Sequence, residues 1–185
     1  TKYENKKVIR CVAKGQYHLL SHLNDPESTL LIKAKKWDKV VLQEYGSGAW
    51  KATDEFKSSS QKLAKDIRAV NKETKIYFNS TWNYSKSPGM EDSLYKHYTA
   101  VSKDIDAKVV PVGMLWKHLR SKVNLYFIDG AHPNRTGTFV TACLFYERLF
   151  DLDVRKTKNL DPHLSKTDQI RLKKWVHEFN LHAQK

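Results

Sequence analysis

Short apolar runs alternate with longer segments of helical periodicity along most of this chain, and this alternation limits its fold more than any other feature. The apolar runs predict strands at 8–12, 39–43, 76–79, 109–112 and 125–128. The helical segments lie at 25–36, 53–71, 91–106, 114–120, 134–150 and 165–183. Strands that alternate with helices favour a mainly parallel sheet with helices on both faces. The sequence therefore predicts an α/β fold.

The length and composition fit one compact domain over residues 1–185. A chain of 185 residues with 40% hydrophobic content can bury a substantial core, and no linker or repeat divides it. No run approaches the roughly 18 apolar residues that span a bilayer. The first residues also lack the apolar region of a signal peptide. We expect a soluble chain without a membrane span, whereas secretion or a cell-envelope location after removal of a leader stays open.

The formal net charge of +13 raises the question of a nucleic-acid partner. Clustered Lys and Arg bind phosphates through counterion release. Here the basic residues are spread along the whole chain, and groups such as those at 33–36 and 171–174 lie at helical spacing, which favours solvated helix faces. A nucleic-acid partner is therefore not favoured. An anionic polymer, such as an acidic glycan, is the alternative that the charge leaves open.

The two cysteines, Cys11 and Cys143, do not provide a disulfide framework. Cys143 lies in the apolar run at 139–150, which predicts a buried thiol. Cys11 lies within the first predicted strand, so it is not favoured as a nucleophile.

Asp129 precedes His132 by three residues in a loop before the helix predicted at 134–150. An Asp at this spacing can hold the imidazole in one tautomer while the His takes a proton from a hydroxyl nucleophile. By itself the pattern is weak, because acidic residues near helix starts are common caps. The pair is half of a hydrolytic triad, and the chain offers no obvious nucleophile.

The residues around this pair extend the pattern. Residues 125–150 read Leu-Tyr-Phe-Ile-Asp-Gly-Ala-His-Pro-Asn-Arg-Thr-Gly-Thr-Phe-Val-Thr-Ala-Cys-Leu-Phe-Tyr-Glu-Arg-Leu-Phe. This stretch resembles the last block of the SGNH (GDSL-like) hydrolases, in the branch with a D-G-x-H-P closing block. Segments 12–16, 37–44 and 109–116 match further parts of the family in order. The resemblance covers about 8–150 and leaves 151–185 as a C-terminal helical extension.

The resemblance implies a serine esterase or acyl hydrolase on a flavodoxin-like three-layer α/β/α fold, often a carbohydrate O-deacetylase. It assigns His132 as general base and acid and Asp129 as the carboxylate that orients it. It also assigns the backbone amide of Gly15 and the side-chain amide of Gln43 to the oxyanion hole, where such donors stabilise a tetrahedral intermediate. The expected substrate is a small acyl ester or an acetylated glycan, and no cofactor is expected.

The family's nucleophilic serine lies in a block just after the first strand, upstream of the segment that contains Gly15. No serine occurs in residues 1–14. The family's first strand also lies inside the sheet, between the strands predicted here at 8–12 and 39–43, and its loss would leave open strand edges. Two alternatives follow. A segment from outside this numbering, such as a companion fragment, supplies the strand and the serine, or the protein is a relative without its nucleophile.

Ligands of such sheets bind beyond the carboxyl ends of the strands. Glu44, Tyr45 and Trp82 are predicted to line an acyl or sugar pocket there, because aromatic faces offer flat apolar contact to a sugar ring. Ser47, between two glycines, is a weaker candidate nucleophile, because the G-x-S-x-G pattern is incomplete and the preceding strand is the wrong one.

His18 and His22 have the i, i+4 spacing of two metal ligands on one helix face. No third ligand is indicated, so no metal site is predicted. The favoured function is a serine-type ester hydrolase that uses Asp129 and His132. The alternative is a catalytically inactive module that keeps the same pocket and binds a glycan or an anionic polymer.

Overall fold

The computed structural model describes residues 8–87, 89–158 and 161–183. Within them, three parallel strands form one sheet in the order β1-β2-β3. The strands are β1 (Lys39–Leu42), β2 (Lys75–Asn79) and β3 (Ala107–Val110). Val40 lies opposite Ile76 and Phe78 lies opposite Val109, so the carboxyl ends of the three strands meet at one edge of the sheet.

Eight α-helices and one 3₁₀ helix accompany the sheet in the described residues. The helices are α1 (Leu19–Asn24), α2 (Pro26–Lys33), α3 (Gly48–Lys51), α4 (Thr53–Val70), α5 (Met90–Asp104), α6 (Val112–Leu119), α7 (Arg135–Phe150), the 3₁₀ helix (Val154–Lys156) and α8 (Lys166–His182). Side-chain caps begin several of them. Asp25 accepts from the Ser28 amide at the start of α2, and Ser165 accepts from the Asp168 amide at the start of α8.

The central strand β2 sends alternate side chains into two apolar layers. Ile76 and Phe78 pack with α1, α3, α4 and α5, whereas Tyr77 packs with α6, α7 and α8. Successive side chains of a strand point to opposite faces, so helices cover both faces of β2. The predicted α/β architecture with three layers is confirmed. No helix in the described part of the chain is long and apolar enough to cross a membrane.

The β1 side of the sheet is the less covered side. β2 is the neighbour of β1 in the described sheet, and the opposite edge of β1 pairs with none of the described strands. Val40 packs with the α4 layer, but Val41 points to the other face and is 42% exposed. The helical layer of α6, α7 and α8 therefore covers β2 and β3 without burying the adjacent side chain of β1.

The predicted strand at 8–12 is wrong. These residues form no strand, and Val8 and Ile9 are exposed. A single extended segment becomes a strand when a neighbour supplies hydrogen bonds, and no described segment pairs with this one. Cys11, which the sequence placed in that strand, is also exposed, whereas the predicted burial of Cys143 is confirmed. Burial raises the pKa of the Cys143 thiol to about 12.

The predicted strand at 125–128 is also wrong. Tyr126 forms an isolated antiparallel bridge with Pro133, and the Phe127 amide donates to the His132 carbonyl at 2.8 Å. Gly130 has a φ of 67°, a left-handed conformation that suits glycine and turns the chain back on itself. The apolar run therefore closes a loop instead of joining the sheet.

Candidate active site

Asp129 and His132 lie side by side in this loop. The imidazole Nδ1 is 2.7 Å from the Asp129 Oδ2, and the two side chains are 79% and 41% exposed for His132 and Asp129 respectively. Because Nδ1 is engaged by the carboxylate, Nε2 is the ring nitrogen left to exchange a proton with a reactant. The structure thus brings together the two residues that the sequence assigned to acid–base chemistry.

The loop backbone holds the Asp129 carboxylate in place. The amides of Ala131 and His132 both donate to its Oδ1 at 2.9 Å. The Ala131 amide is the main cause that lowers the pKa of Asp129 to about 2, and the His132 side chain and amide lower it further. Asp129 is therefore a carboxylate at neutral pH, as a residue that orients a histidine must be.

The segment after β2 supports this loop from behind. Trp82 stacks on Trp116, with ring centroids 4.3 Å apart, and its indole Nε1 donates to the Ala131 carbonyl at 2.8 Å. The Ser85 amide donates to the Gly130 carbonyl at 2.8 Å. Substrate contact by Trp82 stays a prediction. The contacts that the structure gives this side chain hold the Asp129 loop.

Gln43 directly follows β1 at the carboxyl edge of the sheet and is exposed. Its Oε1 accepts a hydrogen bond from Asn79 Nδ2 at 2.6 Å. The amide Nε2 of Gln43 is thereby left as the end that can donate to a ligand. The assignment of Gln43 to an oxyanion hole stays a prediction. The structure identifies Asn79 as the residue that orients the Gln43 amide. Sequence analysis missed Asn79, although its place at the end of the strand beside β1 was the available signal.

Gly15 lies in an exposed turn, and a Cβ added there would meet no atom within 4 Å. Packing therefore does not explain a glycine at this position. Three residues later, His18 Nδ1 lies 2.5 Å from the Glu44 Oε1, and the Leu19 amide donates to the Glu44 Oε2 at 3.0 Å. Glu44, which is adjacent to Gln43 in sequence, thus connects the segment after Gly15 to the carboxyl end of β1.

Glu44 and Tyr45 differ in exposure. Glu44 is 2% exposed, its amide donates to the Tyr98 hydroxyl at 3.0 Å, and its carboxylate also accepts from the Tyr45 amide at 2.8 Å. Glu44 therefore lies beneath the surface, where it holds the neighbouring backbone. Substrate contact by Glu44 stays a prediction, and its buried side chain offers no exposed surface for that contact. The Tyr45 side chain is exposed and available to a ligand.

The loops after β1 and β2 touch each other and the Asp129 loop. The Thr81 hydroxyl donates to the Gly46 carbonyl at 3.4 Å, and a Cβ added at Gly46 would lie 3.4 Å from the Tyr84 hydroxyl. Gly113 lets α6 approach the same region, because a Cβ there would collide with the Thr81 carbonyl. Four exposed side chains on these loops form what we call the apolar rim: Tyr45, Tyr84, Phe127 and Ile128.

The weaker candidates have contacts of their own. His18 pairs with Glu44, whereas His22 Nδ1 lies 2.8 Å from the Ser28 hydroxyl, so the two histidines face different partners. Ser47 occupies the N-cap position of α3 and makes no capping hydrogen bond with its side chain. Neither observation tests whether these residues have a chemical role.

The sequence matches no known family and no curated protein. Two solved structures are similar in fold. A DUF4886 family protein from Bacteroides uniformis has a TM-score of 0.73 and 19% identity, over 85% of this chain and 67% of that one. A protein from Slackia heliotrinireducens, provisionally described as an SGNH hydrolase, has a TM-score of 0.61 and 21% identity, over 73% of this chain and 80% of that one. At such identities the likeness shows the fold, and this fold is SGNH-like.

Proposed function

We propose that this protein is a serine-type ester hydrolase in which His132 is the general base and acid and Asp129 orients it. The observation that carries the proposal is the 2.7 Å contact between His132 Nδ1 and Asp129 Oδ2 on an exposed loop. The hydrolase-like fold supports it, because ligands of such sheets bind at the carboxyl ends of the strands.

In the proposed reaction, the hydroxyl of a serine from outside residues 1–185 attacks the acyl carbonyl carbon while His132 Nε2 takes the hydroxyl proton. The tetrahedral intermediate expels the alcohol, which receives that proton from His132 and leaves an acyl-serine. Water then repeats the two steps and releases the acid. The Gly15 amide and the Gln43 Nε2 would bind the oxyanion, and one such donor contributes about 3 kcal/mol in known enzymes.

The β1 side of the sheet supports this origin for the serine. One edge of β1 pairs with none of the strands that the structure describes, and together with the exposed Val41 it leaves space for a further parallel strand there. A parallel strand in that place would end beside Gln43. We therefore propose that a segment or companion fragment from outside 1–185 pairs with β1 and presents the serine to His132.

A small acyl ester or an acetylated glycan is the proposed substrate. The apolar rim offers flat apolar surface to the acyl group or a sugar ring, because Tyr45 and Tyr84 are exposed on the loops after β1 and β2. The basic character of the chain, with a net charge of +13, favours an acidic glycan over a neutral one.

The test is intact-mass spectrometry of the complete natural protein after treatment with a fluorophosphonate, with turnover of a small acetyl ester measured in parallel. We expect one labelled serine outside 1–185, with labelling and turnover both lost in His132→Ala. His163→Ala is the control, because His163 is exposed in the loop before α8. Labelling that is unaffected by His132→Ala would overturn the assignment of His132.

The net charge favours one further candidate, a module that binds an anionic polymer without turning over an ester. It predicts no fluorophosphonate label and equal retention of the wild type and His132→Ala on an acidic glycan column. The hydrolase predicts the label. Fluorophosphonate labelling and column retention of the same protein sample therefore distinguish the hydrolase from the binding module.

A further inference from the structure

A second histidine–carboxylate cluster lies where α7, the 3₁₀ helix and α8 meet. We call the four residues Glu147, Asp153, His177 and Asn180 the α7–α8 cluster. Glu147 lies near the end of α7, Asp153 caps the 3₁₀ helix, and the other two lie one turn apart on α8. Ligand atoms of Glu147, Asp153 and His177 all lie within 4.8 Å of one another.

The distances in this cluster suit the coordination shell of a small divalent ion. His177 Nδ1 lies 2.8 Å from Glu147 Oε1 and 3.6 Å from Asp153 Oδ1. Zinc bonds of about 2.0–2.2 Å place the ligands of a tetrahedral site roughly 3.3–3.6 Å apart, so small side-chain shifts reach that geometry. The His177 and Asp153 side chains are 15% and 18% exposed, which leaves a path for an ion to enter.

Asn180 provides an independent indication of a ligand. It is 5% exposed, and its Nδ2 donates to Glu147 Oε2 at 2.8 Å, which places the amide group against the cluster. Its Oδ1 is buried without a hydrogen-bond partner among the described residues. A buried acceptor without a partner is unfavourable, because it has lost its hydrogen bonds to water. A half turn of the amide would bring this oxygen beside Glu147, where a cation between the two oxygens would satisfy it.

The other contacts of the carboxylates orient them. Glu147 Oε1 accepts from the Val154 amide at 3.1 Å. Asp153 Oδ1 accepts from the Arg155 amide and from Arg155 Nε, both at 2.9 Å, and its Oδ2 accepts from Arg155 Nη2 at 2.8 Å and from Nε at 3.2 Å. A carboxylate has about four lone-pair directions, so Glu147 keeps directions for a metal, whereas a metal on Asp153 takes the place of one side-chain contact of Arg155.

We propose that the α7–α8 cluster binds one divalent transition-metal ion of the zinc type through Glu147, Asp153 and His177, with the Asn180 oxygen as fourth ligand. An imidazole with carboxylate oxygens suits Zn²⁺. Binding through His177 Nδ1 requires the neutral ring with its proton on Nε2. The ion would join the C-terminal helix α8 and the 3₁₀ helix to α7.

The site is separate from the candidate active site. Glu147 lies twelve residues after the first residue of α7, Arg135, which follows the Asp129 loop. At a rise of about 1.5 Å per residue, this separation is about 18 Å along the helix. We therefore infer a stabilising metal site, whose existence does not depend on the proposed hydrolase activity.

The test is titration of the full chain with Zn²⁺ after treatment with EDTA, by calorimetry and thermal unfolding, with Co²⁺ absorption as a probe of coordination. We expect one ion per chain, a raised Tm and the visible spectrum of tetrahedral Co²⁺. His177→Gln keeps a hydrogen-bond donor near Glu147 but removes the imidazole ligand, so Zn²⁺ affinity should fall at least about 100-fold, because the loss of a partner outside the coordination shell already costs about 10–100-fold. His118→Gln, in an exposed side chain of α6, should bind like the wild type.

Equal Zn²⁺ affinity in the wild type and His177→Gln would overturn the proposal, as would no binding by the wild type. If His177→Gln does not fold, Asp153→Asn decides the question, because Asn can still cap the 3₁₀ helix but lacks the carboxylate charge. A full-strength zinc site in Asp153→Asn would then exclude the coordination proposed here.

Discussion

Two histidine–carboxylate pairs of this protein, His132 with Asp129 and His177 with Glu147, have nearly the same contact distance and opposite surroundings. His132 and Asp129 are 2.7 Å apart on one loop, with side chains 79% and 41% exposed. His177 and Glu147 are 2.8 Å apart across two helices, with side chains 15% and 3% exposed. The contact distance alone therefore does not indicate what such a pair does. Its exposure, and whether it joins separate elements, are the informative differences.

The two settings predict opposite responses to mutation. An exposed pair contributes little to stability, because water solvates both groups and the loop supplies its own hydrogen bonds. Breaking a buried network costs several kcal/mol, because it leaves polar groups without partners. The exposed pair should therefore control activity and the buried pair should control stability.

The largest expected effect is that of Asp129→Asn on ester turnover by the complete natural protein. Asn can still accept from the Ala131 and His132 amides, but its amide nitrogen cannot accept from His132 Nδ1. The favoured tautomer changes, and we expect kcat to fall about 10⁴-fold, as in other enzymes with this arrangement. Turnover of an acetyl ester measures it. Asp92→Asn, in an exposed ion pair, is the control, and retention of a tenth of the activity by Asp129→Asn would contradict the assignment.

The next effect concerns the buried pair. Glu147→Gln keeps the shape of the side chain but places an amide where three donors converge, from Val154, His177 and Asn180. We expect the free energy of unfolding to fall by about 3 kcal/mol. Thermal unfolding in EDTA would show it as a Tm lower by about 6–12 °C. Fluorophosphonate labelling at 25 °C should be unchanged.

The matched control for this variant is Glu178→Gln, because Glu178 is an exposed residue of α8 in a 3.8 Å contact with Lys174. It should change the free energy of unfolding by less than about 0.5 kcal/mol. If Glu147→Gln and Glu178→Gln lowered the free energy of unfolding equally, the buried contacts of Glu147 would not contribute more to stability than an exposed ion pair, which would contradict this prediction.

A smaller effect tests how far the exposed pair depends on its support. Trp82→Phe keeps an aromatic ring against Trp116 but removes the hydrogen bond to the Ala131 carbonyl. A lost bond of about 1 kcal/mol corresponds to an approximately fivefold lower kcat if the loop is displaced. Hydrogen exchange of the 129–132 amides should be faster in this variant. Trp50→Phe, in an exposed side chain of α3, should behave as the wild type in both measurements.

The sequence predicted the elements that have a strong local signal. The helical spacing of Phe56, Leu63 and Ile67 predicted α4, and these residues do form its buried face. The apolar run at 76–79 predicted β2, which has neighbours on both sides. The runs at 8–12 and 125–128 have the same apolar character but do not form strands. Strand formation needs a partner, and periodicity does not report whether one is present.

The candidate site divides in the same way. Asp129 and His132 are three residues apart, so their contact could be anticipated from a local motif. The bond between Gln43 and Asn79 depends on the pairing of β1 with β2. The bond between Glu147 and His177 depends on the packing of α8 against α7. Contacts of this kind arise from the tertiary structure, and a single sequence does not encode them in its spacing.

The smallest expected effect tests whether the hydrogen bonds of the loop keep the exposed Asp129 carboxylate ionised. The pKa of Asp129 is lowered from 3.8 to about 2, first by the Ala131 amide and then by the side chain and amide of His132. A lowered pKa means that these bonds favour the ionised form, so their contribution is complete above the ordinary pKa and is lost as the pH falls through about 2. The amide chemical shifts of Ala131 and His132 should therefore have hardly moved at pH 3.8, where an ordinary aspartate is half protonated. NMR titration of the wild type, with Asp129→Asn as the non-titrating control, measures this. A midpoint near 3.8 would mean that the loop does not hold the carboxylate in solution, and the exposed pair would then need a bound ligand or a neighbouring strand to become ordered.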